Sequence, residues 1–221
     1  VALSADGAVT LWMPSSGTTM YRHSNTLWTE VSGISFNGRP AADWVNENLF
    51  YVYNREDGYM YISTDKGESF TQAGYVGNSQ FRTARTVPGL EGHIWVPLAT
   101  TSEDGTQSGG LVCSNDGGQT FTAVSGIGYC EAVGFGKAAD GADYPAIYVY
   151  AKIDGVFGVY RSIDEGDSWV RVNDDQHEYG GLANGEFVRG DMNIFGRVYM
   201  STAGRGIVYG EPSSENPGPE V

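Results

Sequence analysis

Positive charge is scarce in this sequence: 13 Lys and Arg stand against 27 Asp and Glu, a formal net charge of −14. Nucleic acid and anionic membrane surfaces both require a basic face, so neither partner is expected. Histidine is rarer still. His23, His93 and His177 are too dispersed for a metal site or a catalytic triad, and no cofactor is expected. Cysteine occurs twice, as Cys113 and Cys130, and the sequence leaves open a disulfide across that short loop or two buried thiols. No apolar run is long enough to cross a bilayer as a helix. The text begins at Val1 rather than Met, inside what reads as a strand, so the natural start is expected upstream. At the other end, residues 212–221 are rich in Pro and Ser and read as the start of a linker.

Glycine and aromatics are what the chain has in quantity, with 32 Gly and 13% Phe, Trp and Tyr. They are organised by repetition. YISTDKGESF (61–70), LVCSNDGGQTF (111–121) and VYRSIDEGDSWV (159–170) share a box of Ser-x-Asp-x-Gly-x-Ser/Thr-aromatic, spanning 63–70, 114–121 and 162–169. Asp65, Asp116 and Asp164 recur at a period of about fifty residues, the mark of a repeat architecture. Before each box lies an apolar, β-rich run, LFYVYN (49–54), HIWVPLA (93–99) or AIYVYAKI (146–153), and a short strand follows it. Four strands per unit with turn chemistry between them describe the blade of a β-propeller, and no window carries helical spacing. Residues 1–35 form a unit whose box is degenerate at 21–28, with Asn25 at the Asp position and His23 at the Ser position. Residues 182–211 supply three strands and no fourth. The expectation is an all-β propeller of about five blades over 1–211, the last incomplete, with the rest of the ring encoded upstream.

The boxes read as turns rather than catalytic sites. Asp caps nearby backbone amides, Gly supplies a positive φ, Ser or Thr adds a local hydrogen bond, and the aromatic anchors the next strand. They are expected to hold the third and fourth strands of each blade together. An EF-hand calcium loop would need a later Glu and flanking helices, which are missing. The doublets Glu103-Asp104 and Asp174-Asp175 lie in Gly-rich polar loops and read as solvated acids.

The boxes resemble the Asp-box repeats of sialidases, sortilin-type receptors and certain glycoside hydrolases. The longer text resembles glycoside hydrolase family 74: SADGAVTLW (4–12), RTVPGLEGHIWVPL (85–98), AVGFGKAADGADYPAIYVYAKIDGVFGVYRS (132–162), RVNDDQHEYGG (171–181) and GRVYMSTAGRGIVYGEP (196–212). That resemblance implies two seven-bladed propellers facing across a cleft, with this chain the C-terminal part of the second. It implies a secreted endo-β-1,4-glucanase that hydrolyses the xyloglucan backbone with inversion, using one aspartate from each propeller. Both are expected upstream of Val1, so no catalytic residue is assigned here. The expected partners are xyloglucan or a related β-1,4-glucan, and the remainder of the same polypeptide. The alternative is a non-catalytic Asp-box propeller acting as a protein- or glycan-binding module. A sialidase would need an Arg-Ile-Pro stretch, to which GRPAAD (38–43) is the nearest text.

Substrate contacts are expected on the rim opposite the boxes, in NREDGY (54–59), GYVGNSQF (74–81), TTSEDGTQSGG (100–110), IGYCE (127–131), KIDGVFG (152–158) and NDDQHEYGG (173–181). Neutral sugars are bound by aromatic faces and by polar groups on hydroxyls. The substrate-binding candidates are Tyr75, Phe81, Tyr129, Asp174, Asp175, His177 and Tyr179, with Tyr59 and Phe157 as further aromatics.

Overall fold

A computed structural model describes residues 1–177 and 187–212. Among them every regular element is a strand. The chain divides into two compact units, Val1–Ala123 and Val124–Val221.

The first unit holds three four-stranded antiparallel sheets. Sheet 1 is β1 (Ala2–Leu3), β2 (Thr10–Trp12), β3 (Tyr21–Ser24) and β4 (Leu27–Glu30). Sheet 2 is β5 (Pro40–Ala42), β6 (Phe50–Asn54), β7 (Tyr59–Ser63) and β8 (Thr71–Tyr75). Sheet 3 is built from β9 (Arg85–Thr86), β10 (Ile94–Pro97), β13 (Leu111–Ser114) and β14 (Thr122–Ala123). Between β10 and β13 a small hairpin, β11 (Thr100–Thr101) with β12 (Gln107–Ser108), extends the rim. In sheets 1 and 2 the strands follow chain order, so each sheet is a meander closed by short turns.

The apolar runs are fully buried, because sheet 2 is covered on both faces. Phe50 and Val52 face sheet 1, packing with Leu11, Met20, Ile34 and Phe36. Tyr51 and Tyr53, pointing the other way along the same strand, pack with Ile94, Val96 and Val112 of sheet 3. A strand with both faces covered cannot show the polar alternation of a half-exposed one. That is why LFYVYN reads as an unbroken apolar segment.

The second unit contains sheet 4, β15 (Ile127–Gly136), β16 (Ala146–Ile153), β17 (Val156–Ser162) and β18 (Val170–Arg171), and sheet 5, β19 (Val188–Gly190), β20 (Val198–Thr202) and β21 (Gly206–Gly210). Its core joins Ala132, Tyr148, Tyr150 and Val159 to Val188, Val198 and Met200. The two sheets approach closely at glycines: a Cβ on Gly134 would lie 2.0 Å from the Val188 carbonyl oxygen. Sheet 5 has three strands among the described residues. No disulfide joins Cys113 and Cys130. Cys130 is buried, its Sγ donates to the Ala132 carbonyl, and burial pushes the thiol pKa up.

The degenerate box of sheet 1 is replaced by a shorter device. Asn25 and Thr26 both take positive φ, 49° and 69°, and join β3 directly to β4 in a two-residue turn with Ser24 opposite Leu27. This accounts for the two residues missing before Trp28.

Candidate functional site

The three boxes share one bonding pattern, save that in the third the Asp167 amide donates to the Asp164 carbonyl. Ser63 Oγ donates to Asp65 Oδ1 at 2.7 Å while accepting from the Gly67 amide at 2.8 Å. The amides of Glu68 and Ser69 donate to the same Asp65 oxygen at 3.0 Å each, and Ser69 Oγ donates to the other. Asp116 is bound in the same way by Ser114, Gln119 and Thr120. Asp164 is held likewise by Ser162 and Ser168. Two consecutive positive φ values shape each loop, at Lys66-Gly67, Gly117-Gly118 and Glu165-Gly166. Partial burial acts to raise these carboxyls, but the donated hydrogen bonds outweigh it and hold Asp116 at about 2. Asp65 and Asp164 are lowered for the same reasons. A carboxylate ionised this firmly is a poor proton donor near neutrality.

The boxes also do more than the sequence suggests. Beyond joining the third and fourth strands, in the first unit they bind the preceding sheet. The Phe70 amide donates to the Ser32 carbonyl at 3.0 Å, and the Ser32 amide to that of Glu68 at 3.2 Å. Arg22 Nε donates to the Lys66 carbonyl at 2.9 Å, and Lys66 Nζ pairs with Asp6 at 2.5 Å.

On the rim of the first unit, the predicted loops converge. Asn78 Nδ2 donates to the carbonyls of Arg55 and Glu56, both at 3.1 Å. Ser79 Oγ contacts the carbonyls of Pro97 and Ala99, and Gln80 Nε2 donates to that of Thr101 at 3.1 Å. Loops 54–59, 74–81 and 97–101 therefore form one hydrogen-bonded surface. Tyr75 stands out of it, 57% exposed, with its ring edge-on to Tyr59 at 5.2 Å. A side chain on Gly58 would collide with this ring, 2.7 Å from Tyr75 Cε2. Phe81 is half-buried, its amide donating to Ser79 Oγ.

The second unit offers a different rim. Tyr129 is 3% exposed, packed edge-on at 5.5 Å against Phe157, so in this structure it supports Phe157 and has no open ring face. The burial follows from β15 beginning at Ile127, which places Tyr129 inside the strand rather than in a loop. Phe157 also packs against Tyr150 and lies under Lys152 Nζ at 5.8 Å. In the following loop, Asp174 accepts from the Gln176 amide at 2.9 Å and bonds His177 Nδ1 at 2.6 Å. The His177 bond is the main cause of a lowered Asp174 pKa. Asp175 pairs with Arg171 at 2.5 Å. All three acidic-loop side chains, Asp174, Asp175 and His177, are exposed. Tyr179 lies outside the described residues. Among the described residues no group of three or more His, Cys, Asp or Glu is placed to hold a metal.

The chain is 41% identical over 222 residues to xyloglucanase Xgh74A of Acetivibrio thermocellus, an alignment covering 99% of it. It is 40% identical over 224 residues to a xyloglucanase of Paenibacillus sp. Among solved structures it matches the GH74 enzyme of Niastella koreensis with a TM-score of 0.87 and 47% identity, over 94% of this chain and 30% of that one. The chain belongs to glycoside hydrolase family 74. No protein-family model matches it. It spans about a quarter of the length of its curated family 74 relatives: 25% of Xgh74A and 21% of the Paenibacillus enzyme.

One structural pair in this family 74 segment is not evident from the boxes. Asp43 is buried, accepts from the amides of Val45 and Asn46, and receives the Gly92 amide at 2.9 Å and Tyr51 Oη at 3.5 Å. Asp191 repeats this in the second unit, capping Asn193 and Ile194 and accepting from Tyr199 Oη at 3.2 Å. The signal in the sequence is Asp followed eight residues later by a strand Tyr, DWVNENLFY (43–51) and DMNIFGRVY (191–199).

Proposed function

We propose that this chain is the C-terminal part of the second propeller of a secreted xyloglucan-specific endo-β-1,4-glucanase. The observation that carries the reading is 41% identity to a xyloglucanase along 99% of the chain. Its two catalytic aspartates lie outside these 221 residues. Inversion requires one carboxyl group to protonate the leaving oxygen and a second, roughly 6.5–9.5 Å away, to activate water. The Asp-box carboxylates here are occupied with backbone amides, which suits a scaffold.

Each unit contributes substrate contacts from its own rim. Tyr75 offers an open ring for stacking on a sugar, with Phe81 beside it on the same rim. Asp174, Asp175, His177 and Tyr179 supply hydroxyl-binding groups from the other unit, where Tyr129 braces Phe157. The ring is completed to seven blades by the rest of the polypeptide.

The test is the full-length protein incubated with tamarind-type xyloglucan, unbranched β-1,4-glucan and mannan, with the anomeric form of the first product followed by NMR. Rapid chain shortening of xyloglucan with an α-anomeric product supports the reading. Binding without hydrolysis would instead establish the alternative, a non-catalytic glycan-binding propeller.

A further inference from the structure

β8 ends at Tyr75, and no strand follows until β9 at Arg85. The segment between them has no ladder to hold it, yet the open ring of Tyr75 stands at its start. Its backbone groups are satisfied in other ways. The amides of Val76 and Gly77 both donate to the Gly58 carbonyl, at 2.7 and 3.1 Å. Tyr53, fully buried, donates its hydroxyl to the Gly77 carbonyl at 2.6 Å.

Asn78 joins the two loops beside the ring. Its Nδ2 donates to two adjacent carbonyls of loop 54–59, those of Arg55 and Glu56, and its Oδ1 accepts from Tyr75 Oη at 3.4 Å. A side-chain amide suits this place, because it carries two N–H donors and an acceptor at one end. A carboxylate of the same shape has acceptors only, and a hydroxyl has one donor. The bond to Tyr75 is long and weak by itself. The larger effect runs through loop 54–59, which sets Gly58 against the Tyr75 ring and Tyr59 edge-on to it. A ring placed before the ligand arrives loses less freedom on binding.

We propose that Asn78 is a positioning residue for substrate binding: it ties loop 54–59 to the segment leaving β8 and so presents the Tyr75 ring to a glucosyl unit of the β-1,4-glucan. The inference rests on the reading of Tyr75 as a sugar-stacking ring. It goes beyond that reading by giving Asn78 a part it plays without touching the sugar.

The test is a double-mutant cycle in the full-length enzyme with xyloglucan, each variant assayed well below its own melting transition. Asn78→Ala is expected to raise KM about threefold, the change falling on KM rather than kcat. The double variant Asn78→Ala with Tyr75→Ala should be no worse than Tyr75→Ala alone, because the first change acts through the second residue. Asn78→Asp keeps the shape but turns acceptors toward two carbonyls, and it should match Asn78→Ala. A fluorotyrosine placed at position 75 gives a readout without substrate. In Asn78→Ala its fluorine NMR line should move toward its position in the urea-unfolded protein.

If Tyr75→Ala raises KM and Asn78→Ala does not, the positioning role is overturned and the sugar-stacking reading stands, whatever Asn78→Ala does to the melting curve. An unmoved fluorine line overturns it likewise. Effects on KM that multiply in the double variant overturn it in favour of direct contact between Asn78 and the sugar. A Tyr75→Ala enzyme with unchanged KM removes the sugar-stacking reading itself, and the inference falls with it.

Discussion

The amide of Gly74 donates to the carbonyl of Gly118 at 3.1 Å, across the seam between sheet 2 and the box of sheet 3. A Cβ on Gly74 would lie 2.5 Å from the Gln119 carbonyl oxygen and 2.6 Å from that of Gly118. Gly33 stands in the same relation one repeat earlier, where a Cβ would meet the Phe70 carbonyl oxygen at 1.9 Å. In the first unit each box thus rests its backbone on a glycine in, or just after, the sheet before it.

Gly74→Ala must therefore push two sheets apart, because the obstructing atoms are backbone and cannot rotate away. The expected loss is about 2 kcal/mol, within the usual range for overpacking. Differential scanning calorimetry of the full-length protein should show the transition of this propeller lowered by roughly 4–8 °C. An unchanged transition would mean that the seam is looser than described.

Asp116→Ala removes the acceptor of two backbone amides and two hydroxyls. The loop is exposed and water can re-solvate these donors, so the expected cost is that of net hydrogen bonding, about 1 kcal/mol. Asp116→Asn keeps one oxygen and should lose less. Neither change should alter kcat at temperatures where the variant is folded, since the role is structural. A drop in kcat without a drop in thermal stability would overturn that assignment.

Acid should act through the same groups. Asp116 has a folded-state pKa of about 2, below its ordinary value of 3.8. A depressed carboxyl stabilises the fold above the unfolded-state pKa, and the contribution fades as pH falls through the folded one. Stability is expected to be flat above about pH 5 and to decline between pH 4 and 2, with a smaller decline in Asp116→Asn. Circular dichroism against pH measures it.

Tyr75 and Tyr129 should separate binding from support. Tyr75→Ala removes an exposed ring and is expected to leave thermal stability nearly unchanged while raising KM for xyloglucan about fivefold, the value of about 1 kcal/mol of aromatic contact. Tyr129→Ala empties a buried site and is expected to cost about 3–5 kcal/mol of stability. Steady-state kinetics beside a melting curve for each variant decides the matter. An unstable Tyr75→Ala would reassign that residue to the scaffold.

Much of this was legible in the residues themselves. The boxes declared their turn because Asp, Gly and Ser act on atoms at most four residues away, and their bonding follows the spacing without reference to the rest of the molecule. The strands of the final sheet were visible because strand and turn composition are local. Burial at the rim was harder to read. Tyr129 and Tyr75 are both aromatics near strand ends in glycine-containing text, yet one is covered and the other is not. Asp43, the residue directly after β5, has nothing in its neighbourhood to announce that its carboxylate reaches Gly92 in the next repeat.

Local chemistry by itself determined the repeat, the strands and the turns, because each depends on side chains acting within a few residues of themselves. Which faces meet was decided only in three dimensions. Sheet 2 buries both faces because sheets stand on either side of it, and the positions equivalent to Val52 and Phe70 lie open in sheet 1 as Trp12 and Trp28. Exposure is a property of what packs against a residue, and residues far apart in the chain set it.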